Sequence, residues 1–168
     1  MDIEKLIGEI IPPSDYQHRN GFDNILIIDR LTDNEKKQVE NVLIDRLLHK
    51  TVEEVDTLIV ETLAYLKSEK ALPVLKNLLE HCSSEVVKLR IATSIFEINQ
   101  DNDMVKIAIT SFKKLDNNKD SYYVHKLTSA FFYLIKFNKP EVNGLIKEYI
   151  THKEYLLSYN AKRALGMQ

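Results

Sequence analysis

The chain has one cysteine, no tryptophan, four prolines and four glycines in 168 residues. Each shortage excludes something. The single thiol, Cys82, closes no internal disulfide, which points to a reducing, cytoplasmic setting. So few glycines and prolines cannot supply the tight turns of an all-β chain, and they leave little room for a glycine-rich phosphate loop. No apolar run approaches the ~18 residues that span a bilayer. Residues 1–11 are acidic and interrupted, without the basic region and apolar stretch of a secretory leader. The expectation is a soluble helical protein.

What is present is ordinary in amount and uneven in distribution. Hydrophobic residues make up 44% and charged residues 29%, enough for one domain with a sizeable core. The net charge is −2, but residues 1–84 hold 10 Lys/Arg against 16 Asp/Glu, a balance of −6, and residues 85–168 hold 13 against 9, or +4. Six of the eight tyrosines and three of the six phenylalanines follow residue 120. Such polarity can orient a partner, and it is equally what drift among solvated side chains produces.

Hydrophobic periodicity gives the architecture. Leu63, Ile95, Phe131 and Leu165 are 32, 36 and 34 residues apart, and each is preceded at four and eight residues by a further member of a helical stripe. Those members are Ile59 and Val55, Ile91 and Val87, Leu127 and Tyr123, and Ala161 and Leu157. A stripe at i, i+4, i+8 that returns every thirty-odd residues predicts stacked helix pairs. Local signals divide the chain accordingly. Residues 1–11 form a short helix ended by Pro12-Pro13, residues 14–21 a long polar connection, and Phe22–Leu31 a compact apolar helix. Thr32 and Glu35 make a capping box, and Thr51–Glu54 repeats the device. Helices follow over Val55–Leu66, Ala71–His81, Glu85–Ile98, Met104–Leu115, Tyr122–Phe137, Pro140–Ile150 and from Tyr155 onward.

Ala71-Leu72-Pro73-Val74-Leu75-Lys76-Asn77-Leu78-Leu79 resembles the second helix of HEAT and HEAT-like repeats, and Val87-Lys88-Leu89-Arg90-Ile91-Ala92 resembles the first. The likeness is good over residues 52–115, weaker over 120–168 and faint before residue 50. Asp56 stands where that family usually has a basic residue, and Phe131-Phe132-Tyr133 is bulkier than its small-residue pattern. The resemblance implies an all-α, right-handed α-α superhelix of antiparallel helix pairs in one domain over residues 1–168. Residues 1–50 would be divergent N-terminal helices, 52–154 the clearest repeats and 155–168 a terminal capping helix. It implies little about activity, since the architecture serves many functions.

A search for chemistry finds none. The five histidines form no metal-binding pair, and His49 and His81 fall in last turns, where an imidazole complements exposed carbonyls. Cys82 has no assignable activating partner, and its neighbour His81 does not face it on a helix. Glu53-Glu54 and Asp101/Asp103 sit where capping and solvation explain them. The expectation is therefore no enzyme, no metal and no cofactor.

Binding remains. The outward positions of the second helices would carry Glu40, Asp45, Lys76, Glu80, Lys106, Lys113, Lys147 and Glu148, a strip of mixed sign that suits a shaped protein partner. Tyr122, Tyr133, Tyr149, Tyr155 and Tyr159 are candidate anchors, and half-buried core tyrosines with wet hydroxyls are the plainer reading of several. Tyr16, His18 and Arg19 form a second patch in the N-terminal connection. The expected function is non-catalytic protein binding on a concave face or the C-terminal edge, by a cytoplasmic monomer or weak homodimer. A small, single-domain helical repeat of this kind resembles toxin-neutralising immunity proteins. The alternative is nucleic-acid binding by the lysine- and tyrosine-rich C-terminal half, which would pair phosphate neutralisation with base stacking.

Overall fold

The computed structural model describes residues 2–167; Met1 and Gln168, at the ends of the expected first and last helices, lie outside it. Among the described residues there are eleven α-helices, three 3-10 turns and no strand. The all-helical expectation holds. The helices are α1 (Ile3–Ile10), α2 (Tyr16–Arg19), α3 (Ile25–Asp29), α4 (Asp33–Leu48), α5 (Thr57–Tyr65), α6 (Leu72–His81), α7 (Glu85–Asn99), α8 (Asp103–Asn117), α9 (Tyr123–Leu134), α10 (Pro140–Lys147) and α11 (Tyr155–Ala164).

The caps written in the sequence form. Thr32 Oγ1 accepts the Glu35 N–H at 3.3 Å, and Glu35 Oε2 accepts the Thr32 N–H at 2.8 Å, which closes the capping box of α4. Ser84 caps α7, and Pro140 opens α10 at a position where a missing donor leaves nothing unsatisfied. The turns that end α5, α7 and α9 use left-handed Lys67, Gln100 and Asn138 where glycine is the commoner choice, with φ of 55°, 57° and 48°.

Several boundaries differ from the sequence reading: Pro140–Ile150 is helical only to Lys147, Tyr122–Phe137 passes into a 3-10 turn after Leu134, and three departures near the N-terminus have a polar reason. Phe22–Leu31 is helical only over α3, because Asn24 turns inward and donates to the Ile10 carbonyl at 3.1 Å and to Thr62 Oγ1 at 2.8 Å. Thr51–Glu54 caps a 3-10 turn rather than the next helix. α5 begins two residues later than expected because Asp56 takes the N-cap, accepting the Leu58 N–H at 3.0 Å. The polar connection 14–21 contains α2, and its Arg19 is clamped. The guanidinium donates to Asp56 Oδ1 at 2.7 Å, to Asp56 Oδ2 at 2.5 Å and to the Pro12 carbonyl at 3.0 and 2.6 Å.

From α5 onward, each odd-numbered helix packs on the next: α5 on α7, α7 on α9, α9 on α11. The even-numbered helices bridge this row, α6 against α7, α8 against α7 and α9, and α10 against α9 and α11; α4 rests on α5 and α6. One continuous apolar core runs from Leu6 to Ala161. Ile59 and Leu63, Ile91 and Ile95, Leu127 and Phe131, and Leu157 and Ala161 are all buried in it. Much of the aromatic excess after residue 120 is core filling. Phe131 packs on Tyr149 at 5.1 Å between ring centroids and on Phe112 at 6.0 Å, and Phe137 packs on Phe96 at 4.7 Å.

Ile95 is fully buried at the centre of the row. Ile95→Asp should lower unfolding stability by about 3–5 kcal/mol in urea denaturation, since it strands a carboxylate without a partner in the core. A variant as stable as the parent would show that this column does not form the core.

Candidate interaction surface

The strip foreseen on the even-numbered helices is largely solvent-facing. Asp45 on α4, Lys76 and Glu80 on α6, Lys106 and Lys113 on α8, and Lys147 on α10 are exposed, as is Glu148 just beyond. Glu40 is half-buried and pairs with Lys70 at 3.4 Å. Lys76 pairs with Asp101 at 3.3 Å, and Lys106 with Asp103 at 3.1 Å. These are solvated pairs, each worth well under ~1 kcal/mol, so a partner can exchange them at little cost.

The tyrosines divide into two classes. Tyr149 is only 7% exposed, enclosed by Phe112, Phe131 and His152, and offers no ring to a partner. Tyr133 is half-buried: its hydroxyl donates to Glu61 at 2.8 Å, and the Arg90 guanidinium lies 5.0 Å from its ring centre. Both are structural. Tyr122, Tyr155 and Tyr159 are exposed; Tyr155 and Tyr159 stack on each other at 5.7 Å, and Arg163 lies 5.8 Å from the Tyr159 ring and 5.8 Å from that of Phe132.

The sequence reading missed the polar seam that ties the odd-numbered helices together. Arg90 of α7 donates to Thr57 of α5 at 2.7 Å, Tyr133 of α9 reaches Glu61 of α5, and Lys136 after α9 meets Glu97 of α7 at 3.2 Å. The signal was present only as charges scattered at helix positions, because their partners are 33, 72 and 39 residues away.

The basic C-terminal set is partly neutralised. Lys114 pairs with Glu85, Lys119 with Asp116, Lys126 with Asp120 and Lys136 with Glu97. Among the described residues, Lys113, Lys139, Lys147, Lys153, Lys162 and Arg163 enter no ion pair, and they are spread over α8, α10, α11 and the turns between.

The N-terminal patch is likewise divided. Tyr16 is exposed and His18 bonds Asp15 at 2.8 Å, while Arg19 is occupied by its clamp at the edge of a cleft of ≈ 670 Å³ beside Arg46, His49 and Lys50. Nδ1 of His49 and of His81 donates to a last-turn carbonyl, of Asp45 and Asn77, at 2.8 Å in each case. Cys82 is buried and donates to the Ser84 carbonyl, and burial pushes its thiol pKa up. Among the described residues no three His, Cys, Asp or Glu side chains converge as a metal site, and no helix is long and apolar enough to cross a membrane.

No family model, curated protein or solved structure matches the chain.

Burial pushes the Tyr149 hydroxyl far above the ordinary tyrosine range, and the Asp116 carboxylate adds to the effect; burial and the Glu61 carboxylate do the same to Tyr133. The folded state thus holds these protons more tightly than the unfolded chain. Their contribution to stability is complete below about pH 10 and lost as pH rises above it. Tyr149→Phe should make urea stability fall less steeply between about pH 9 and pH 11 than in the parent. Parallel profiles would mean that Tyr149 is not protected.

Proposed function

We propose that the chain is a short right-handed α-α superhelix of HEAT-like helix pairs and that it works as a non-catalytic protein-binding module. It would act in the cytoplasm as a monomer or weak homodimer, of the kind that toxin-neutralising immunity proteins represent. The observation that carries this reading is the pairing of an exposed mixed-sign strip on the even-numbered helices with exposed, stacked Tyr155 and Tyr159 at the C-terminal edge. Mixed charge selects a partner surface by complementarity and register, whereas a polyanion is selected by a single sign. Tyrosine adds large contact area at a small loss of rotamer entropy.

The nucleic-acid alternative rests on the six cations without ion pairs and the exposed tyrosines. It is weaker because acidic neighbours already neutralise Lys114, Lys119, Lys126 and Lys136.

The intact chain, immobilised and exposed to lysate of its source cell with and without nuclease, should retain one stoichiometric protein that survives nuclease. Charge reversal at Lys76 and Glu80 should weaken that retention. Recovery of nucleic acid instead, with affinity falling steeply in salt and lost on Lys113→Glu/Lys114→Glu, would overturn the protein-binding reading.

A further inference from the structure

α11 is the last helix of the row among the described residues, and it packs on α9 and α10. In the proposed register, positions 70 residues apart on α7 and α11 correspond, as Ile95 does to Leu165. On α7, Leu89, Thr93 and Phe96 are exposed by 1%, 1% and 2%, and Phe96 packs on Phe137 just beyond α9. The corresponding residues are Tyr159 and Arg163 of α11 and Gly166 just beyond it. Tyr159 is 44% exposed, Tyr155 one turn earlier is 69% exposed, and Arg163 and Gly166 are solvent-facing. Positions that are buried on α7 are therefore open to water on and just after α11 among the described residues. The N-terminal end differs. There α1 packs on α3 and α4, buries Leu6, Ile7 and Ile10 and turns Glu4 and Glu9 to water.

Charge then specifies what fits. Residues 155–167 contain Lys162 and Arg163 and no acidic residue. Neither cation meets a carboxylate among the described residues; Arg163 is held only against the Phe132 and Tyr159 rings. Tyr159, Lys162, Arg163, Gly166 and Met167 border a cleft of ≈ 490 Å³. Beside it, Leu156 and Met167 add exposed apolar surface, which gains by burial against another apolar stripe and offers nothing to a phosphate chain.

Resting on the protein-binding reading above, we propose that the outer face of α11 is the docking site for an acidic amphipathic helix of a partner protein. That helix would lie along α11 as the next member of the row, its apolar stripe on Tyr155 and Tyr159 and its carboxylates on Lys162 and Arg163. An aromatic anchor with a guanidinium at its rim is the composition of an interface hot spot, and carboxylates present the bidentate acceptor that arginine favours.

The test uses the intact, isotope-labelled chain and three probes. They are a leucine-striped helical peptide of about five turns, or about 18 residues, flanked by glutamate, the same peptide flanked by lysine, and a short oligothymidine. The glutamate peptide should shift amide signals in residues 155–167, and Arg163→Glu should weaken its binding at least about tenfold, the scale of one good charged contact. Arg163→Ala should give a smaller loss, and Lys113→Glu, on another helix, none. An unchanged amide spectrum elsewhere establishes that the variants fold. The proposal fails if the lysine peptide binds equally well, if oligothymidine binds more tightly, or if no shift falls in 155–167. A protein captured by the intact chain whose binding ignores Arg163→Glu, but is lost on reversing Lys76 and Glu80, would sink this site and leave the protein-binding reading standing.

Discussion

A helix inside a row must be covered on both flanks as well as beneath, and that requirement governs most of this chain. α7 meets it most fully: six consecutive residues, Ile91 to Phe96, are buried, and even Thr93 and Ser94 are out of water. Threonine is tolerated there because its hydroxyl donates to the Leu89 carbonyl at 2.8 Å within the helix. A helix at the end of the row needs covering on one flank only, so its composition reveals whether that end is closed. α11, the last helix among the described residues, turns Tyr155 and Tyr159 to water.

The N-terminal segment is attached by polar contacts set into an apolar surface. Asn24 links the end of α1 to Thr62 of α5, and Arg19 links Pro12 to Asp56, so residues 12–24 are stapled at two points 5 residues apart. Such bonds are directional. They fix the approach angle of α1 and α3 where apolar contact alone would permit sliding, and a half-buried bidentate Arg–Asp pair is among the stronger means of doing so.

Legibility in the sequence followed the range of the forces involved. The capping box at Thr32 and Glu35, the stop at Pro12 and the paired buried positions such as Ile59 and Leu63 depend on residues within two turns, and all were readable. The inward turn of Asn24, the seizure of Asp56 by Arg19 and the enclosure of Tyr149 depend on partners brought close only by folding. For the surface, residue type marked the exposed strip correctly at Asp45, Lys76, Glu80, Lys106, Lys113 and Lys147. It could not separate Tyr149 from Tyr159, since both occupy plausible helical positions. What divides them is a neighbour: Phe112 and Phe131 enclose the first, and the second is open to water.

Cys82 lies where α6 hands over to α7, out of water, its thiol turned to the Ser84 carbonyl and held protonated by burial. A thiol in that state is a poor nucleophile, and reagents reach it only when the junction opens. Its rate of modification is therefore a clock for the breathing of that junction. With no second cysteine in the chain, the signal has a single source.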